Sequence, residues 1–172
     1  LAKGGVGNII TSFSSVLEDD IPAPNMLCIY DDSFIDDYTQ LTEKVHAYGA
    51  NIFLQIVAGG SQGRNNINSG KVIYGPSAHK NPITGIEAVE MTQEDICNLV
   101  EKFRDAAVRA KNSGFDGIQI HAAHGYLLSQ FLNPFYNKRE DEYGGDVDGR
   151  ARILIDVYLS IREAVGDDFI VG

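Results

Sequence analysis

Short apolar runs alternate along this chain with longer stretches of helical periodicity. The runs are Asn8-Ile9-Ile10-Thr11, Ile52-Phe53-Leu54-Gln55-Ile56-Val57, Gly117-Ile118-Gln119-Ile120 and Phe169-Ile170-Val171. Each is short and largely apolar, the pattern of strands covered on both faces. Between them, residues 33–48 place Ile35, Tyr38, Leu41 and Val45 on one stripe, with Gly49 able to close the helix. Residues 92–113 predict a second helix. Thr92 can cap it with Asp95 as the capping-box partner, Ile96, Leu99, Val100, Phe103 and Ala107 form its apolar face, and Gly114 follows its end. A third helix is expected from about Arg150 to Val165, with Ile153, Leu154, Val157 and Ile161 inward and Gly166 as the stop. Alternation of this kind predicts a parallel α/β architecture.

Two long connections interrupt the rhythm, Gly59 to Met91 and His121 to Gly149. Both follow a strand and precede a helix. In a (β/α)8 barrel such connections lie on the face where active sites are built, and loops of this length in a compact domain are usually functional. Four strands and three helices make about half of a barrel that normally takes ~250 residues. The chain has 172 residues and begins at Leu1, so a cut or partial chain is expected. A doubly wound sheet fits the same periodicity, and the test between the two is whether helices cover one face of the sheet or both.

Composition narrows the function. A formal net charge of -10 argues against a nucleic-acid or acidic-membrane binder, because phosphate contacts need clustered Lys and Arg. No apolar run approaches the ~20 residues of a membrane span. The two cysteines, Cys28 and Cys97, match no metal or redox spacing and are expected to be reduced thiols of a cytoplasmic protein. No repeat or low-complexity segment is present. Gly5-Val-Gly7 lacks the third glycine of a dinucleotide fingerprint, and Gly59-Gly-Ser-Gln-Gly63 is followed by Arg64 rather than Lys-Ser/Thr, so neither a Rossmann nor a P-loop site is predicted.

The chemistry concentrates in His121-Ala-Ala-His124-Gly-Tyr126, where the third strand ends, followed by Gln130, Asn133, Asn137, Arg139, Asp141 and Tyr143. Three readings of the two imidazoles and the phenol stand open. They form a hydrogen-bonded loop with a packing tyrosine; or the histidines hold a metal, although no third ligand is obvious and the spacing is not the helical His-x-x-x-His; or the imidazole N–H groups polarise a carbonyl oxygen while the phenol delivers a proton.

The stretch His121-Ala-Ala-His-Gly-Tyr-Leu-Leu-Ser-Gln-Phe-Leu-Asn-Pro134, with Asn137-Lys-Arg-Glu-Asp-Glu-Tyr-Gly-Gly145, resembles the signature of old yellow enzyme and the related NADH:flavin oxidoreductases. Gly4-Gly-Val-Gly7, Gln55 and Gly75-Pro-Ser-Ala78 match in the family's order. The resemblance implies an incomplete (β/α)8 barrel over residues 1–172, holding about strands two to five of eight, with FMN as cofactor and NADH or NADPH as reductant. It implies that the whole protein reduces an activated alkene or similar small electrophile, as a soluble cytoplasmic enzyme without a metal, with a homo-oligomer left open. His121 and His124 match the pair that binds the substrate's activating carbonyl, and Tyr126 the proton donor. Gln55 matches the flavin's pyrimidine contact, and the backbone around Ser12 and Phe13 the stretch lining the flavin ring. The same resemblance puts the phosphate site and a basic flavin contact outside this chain, so the chain alone is expected to bind FMN poorly and to be inactive.

Two departures stand out. Where the family reads Gln-Leu-x-His-x-Gly-Arg, this chain has Gln55-Ile-Val-Ala58-Gly-Gly-Ser61; where it reads Ser-x-Glu-Asn-Arg, this chain has Asp146-Val-Asp-Gly-Arg150. Asn137, Arg139, Asp141 and Tyr143 are expected to tie the loop, and a carboxylate such as Asp141 or Asp146 to balance Arg150 and Arg152 at a helix start. The rival readings are a metal-assisted hydrolase or lyase on a barrel, and a non-catalytic degenerate half barrel.

Overall fold

A computed structural model describes residues 1–64 and 70–172. In chain order the elements are β1 (Asn8–Ser15), β2 (Leu27–Cys28), α1 (Ile35–His46), β3 (Asn51–Val57), β4 (Tyr74–Gly75), β5 (His79–Lys80), β6 (Glu87–Glu90), α2 (Gln93–Asn112), β7 (Gly117–Ile120), α3 (Leu127–Leu132), α4 (Val147–Val165) and β8 (Ile170–Val171). The main sheet has the order β2-β1-β3-β7-β8, and every neighbouring pair is parallel.

Strand parity decides which face is covered. Ile52, Leu54 and Ile56 of β3 and Ile118 of β7 are buried in one core with Val45 of α1, with Ile96, Leu99, Phe103 and Ala107 of α2, and with Ile153, Val157 and Ile161 of α4. The alternate residues Phe53, Gln55 and Gln119 are only half-buried on the opposite face. The helices therefore share one side of the sheet, as in the wall of a barrel and unlike a doubly wound sheet. Because all strands run the same way, the connections after β1, β3 and β7 leave from one end of the sheet.

The helix starts follow their caps. Thr92 and Asp95 form the expected reciprocal capping box of α2. Helix α4 starts three residues before the expected position, because Asp146 caps it by accepting from the Gly149 N–H at 2.9 Å. Asp146 is thus the cap, and Arg150 and Arg152 are met by backbone carbonyls instead of carboxylates. Arg150 donates to Leu132 O and Gly145 O, and Arg152 to Glu142 O.

Strand β1 extends four residues past the expected run. Its register against β3 shifts between Ile10 and Phe13, so Ile10 pairs with Phe53 and Phe13 with Gln55. A bulge of this kind re-aims side chains. Here it puts both Ile10 and Phe13 on the uncovered face, which strict alternation forbids. The first long connection also carries more structure than its composition suggests, a small sheet of order β4-β6-β5; residues 65–69 of that connection lie outside the described residues.

Candidate functional site

Strand β7 ends at Ile120, and His121 continues its line, its N–H donating to Ile56 O at 2.9 Å. The chain then turns sharply. His124 has φ +57° and Gly125 φ +77°. A left-handed histidine is uncommon but among the better tolerated residues there, and the turn brings Tyr126 back toward His121. Tyr126 leads into α3, and the Leu127 N–H donates to Ala58 O at 3.0 Å, pinning the loop to the end of β3.

Four rings converge. His121 and His124 lie 5.1 Å apart between centroids, His121 and Tyr126 5.0 Å, Phe13 and Tyr126 5.5 Å, and Phe13 and His121 6.0 Å. His121 is buried, Tyr126 half-buried and His124 exposed. The Ala123 N–H donates to His121 Nδ1 at 3.3 Å, which puts the imidazole proton on Nε2. That Nε2 lies 3.4 Å from His124 Nδ1. With that proton directed at His124 Nδ1, His124 carries its own on Nε2, so the pair presents one N–H shared between the rings and one free Nε2–H at the strand end. Burial, and then the neighbouring His124, lower the pKa of His121, so it is a neutral donor at pH 7. Burial, and then the Asp20 carboxylate, raise the pKa of Tyr126, so the phenol keeps its proton.

Deeper on the same face, Gln55 Nε2 donates to Gln119 Oε1 at 2.6 Å, and these two residues are also register partners between β3 and β7. Gln119 thereby joins the candidate site, although it is not among the residues expected there from the sequence. The signal was present: it falls on the same strand parity as Gln55, polar among apolar neighbours. Together the amides leave an edge of alternating acceptors and donors. That edge fits the pyrimidine side of a flavin, and Phe13 supplies an apolar flank. Ser12 sits in the bulge, exposed, its carbonyl accepting from Thr11 Oγ1 at 2.8 Å, and it does not join the ring cluster.

The rest of the loop is held as expected. Asn137 Nδ2 donates to Phe131 O and Tyr143 O. The buried Arg139 donates to Pro76 O at 2.8 Å, to Met91 O at 2.6 Å and to both Asp141 oxygens, so one guanidinium joins the two long connections. Tyr143 donates to Asp156 at 3.0 Å, and burial, followed by that bond, pushes its pKa up to about 12. Gly144 has no room for a side chain against the Arg139 carbonyl. Replacing Arg139 with Ala should destabilise the whole protein by about 3 kcal/mol, since it strands a partly buried carboxylate and two carbonyls. Lys should rescue only part, because it lacks the planar fork. Urea melts of the variants check this; a shift no larger than that of an exposed Arg→Ala change would refute the anchoring role.

The departures have structural partners. Ser61 is fully buried, 2.8 Å from His79 Nε2, and its carbonyl accepts from Thr84 Oγ1 at 2.7 Å. It stitches the first connection to itself instead of facing the rings. Among the described residues no group of three or more His, Cys, Asp or Glu side chains gathers to hold a metal ion.

The chain is a slice of parallel barrel with outer helices, and its strand ends present two imidazoles, a phenol and an amide pair on one face. The chain belongs to the NADH:flavin oxidoreductase / NADH oxidase family, whose profile matches residues 1–172. It is 41% identical over 171 residues to the NADH oxidase of Thermoanaerobacter brockii and 44% identical over 177 residues to the cinnamate reductase of Clostridium sporogenes. Each alignment covers 98% of this chain and 26% of the relative. The old yellow enzyme homologue from Zymomonas mobilis superposes with a TM-score of 0.90 at 30% identity, over 98% of this chain and 50% of that one. The chain therefore spans a quarter to a half of these relatives and forms part of a TIM barrel of the old yellow enzyme type. The family works with FMN and takes NADH or NADPH as reductant, which bears out the resemblance and does not favour the hydrolase, lyase and non-catalytic readings.

Proposed function

We propose that the protein containing this chain is an FMN-dependent ene-reductase of the cytoplasm, acting on a small alkene conjugated to a carbonyl group. β1, β3, β7 and β8 are strands two to five of its eight-stranded barrel. The observation that carries this reading is the convergence of His121, His124, Tyr126 and Phe13 at one strand end, with Gln55 and Gln119 on the same face.

When bound, FMN supplies the electron pair that the polypeptide lacks, taken from NAD(P)H. The residues divide the remaining work. Gln55 and Gln119 hold and orient the pyrimidine edge, and Phe13 keeps water from one side. The carbonyl oxygen takes the free Nε2–H of His124 and shares the Nε2–H of His121 with His124 Nδ1, and negative charge grows on that oxygen as the alkene is reduced. Tyr126 gives its phenolic proton to the α-carbon, and solvent restores it. The net reaction consumes NAD(P)H, one proton and the alkene, and yields NAD(P)+ and the saturated product. Anaerobic turnover of the whole protein with cyclohexenone tests this. Equal amounts of oxidised nicotinamide and saturated ketone support it; no turnover of enones, or hydrolysis of a test ester without nicotinamide, counts against it.

A further inference from the structure

Beside the ring cluster lies an open cavity of about 490 Å³, lined by Pro22, Ala23, Pro24, Gln62, Arg64 and Tyr126. Its volume is on the scale of small-molecule sites. Its chemistry is one-sided. The polar lining groups are a guanidinium, an amide and a phenol, and none is a carboxylate, in a chain with 24 acidic and 14 basic residues. The larger groove of about 1090 Å³ is different. Its lining carries both signs, Glu18, Asp19, Asp31 and Asp95 beside Lys71 and Lys102, and none of the polar residues of the His121–Tyr126 turn.

Arg64 differs from the other six arginines. Arg104, Arg109 and Arg139 pair with carboxylates, and Arg150, Arg152 and Arg162 donate to backbone carbonyls. Among the described residues Arg64 has neither kind of partner. Gln62 accepts at Oε1 from Asn81 Nδ2 at 3.3 Å, which leaves its amide N–H groups as donors. Asp20, the carboxylate that raises the Tyr126 pKa, accepts at Oδ2 from the Gly60 N–H at 2.8 Å and does not line the cavity.

We infer that this cavity takes a carboxylate carried by the substrate, gripped by Arg64 and Gln62 while His121 and His124 hold the activating carbonyl. The inference rests on the reading above and narrows it to unsaturated carbonyl compounds that bear a carboxylate. A guanidinium fork matches a carboxylate in two parallel hydrogen bonds. Arg64 is exposed at the rim, so its grip is screened by salt. It binds ground state and transition state alike, so its loss falls on KM more than on kcat.

The test compares 4-oxopent-2-enoate with its methyl ester as substrates of the whole protein, together with calorimetric binding of the saturated acid 4-oxopentanoate. The expected result is a preference for the acid in kcat/KM that weakens with added NaCl. In Arg64→Gln the acid-to-ester ratio should fall about tenfold and the Kd for 4-oxopentanoate rise by a similar factor, the scale of a lost charged hydrogen bond; Arg64→Lys should keep part of both. Equal use of acid and ester by the wild type, or an unchanged ratio and Kd in Arg64→Gln, overturns this inference and leaves the ene-reductase reading standing. Reduction of neither compound, with no 4-oxopentanoate binding, overturns both.

Discussion

Replacing Tyr126 with Phe should slow reduction of the alkene by about 10²- to 10⁴-fold, the range of a positioned general acid, while leaving reduction of the cofactor by NAD(P)H nearly intact. The substitution removes one oxygen. The ring contacts with Phe13 and His121, and the backbone bonds that pin the turn, remain. Only the alkene half-reaction needs a proton at carbon, so only that half should suffer. The pH profile adds a second check. Burial and the Asp20 carboxylate hold the Tyr126 pKa above its ordinary value, so the phenol stays protonated through mildly alkaline pH. The wild-type alkene half-reaction should show no alkaline limb below about pH 10. Stopped-flow measurement of the two halves separates the outcomes. Equal slowing of both would indicate a general structural loss, and no slowing of either would return Tyr126 to a packing role.

His121→Ala and His124→Ala should act differently. Each removes a donor from the oxygen where charge develops, which costs about 10²- to 10³-fold in kcat. Binding of carbonyl and phenolic ligands should weaken as well, because the same N–H groups serve the ground state. Cofactor reduction is expected to fall too, since the nicotinamide amide carries a carbonyl of the same kind. The two variants should not add fully, given the 3.4 Å separation of His121 Nε2 and His124 Nδ1. The lowered pKa of His121 also has a sign for folding. The folded state binds the proton less readily than the unfolded state, so its contribution is complete above the ordinary histidine value of ~6.5 and is lost as pH falls below it. Stability should therefore decline on acidification through that range, with a shallower slope in His121→Gln. A double mutant losing the full product of both factors, or an unchanged slope, would contradict the pairing drawn here.

Much of this was legible in the sequence because two signals are local. The capping box of α2 is written in Thr92 and Asp95, and β3 and β7 are largely apolar runs broken only at Gln55 and Gln119 after their first residues. The His121–Tyr126 turn is contiguous, so its convergence needed no knowledge of distant contacts. What escaped depends on pairing. The expected first strand stopped at Thr11, yet β1 runs on to Ser15, with Ser15 donating to the Leu17 and Asp20 carbonyls. β2 has only two residues and exists through its register with β1. The six residues of α3 are too few to display a helical period. Gln119 became a site residue only once β7 lay in register beside β3. The role of Arg139 was expected in outline, but its carbonyl partners Pro76 and Met91 lie far away in sequence.

The proposed function requires the uncovered face carrying Gln55, Gln119 and Phe13 to belong to a flavin site. Denaturing the purified whole protein and identifying what it releases, by mass and visible absorbance, tests this most directly. Close to one FMN per chain is expected, with occupancy reduced in the Gln55→Leu variant. A correctly folded protein that releases no FMN, or one whose FMN content is indifferent to Gln55, would contradict it.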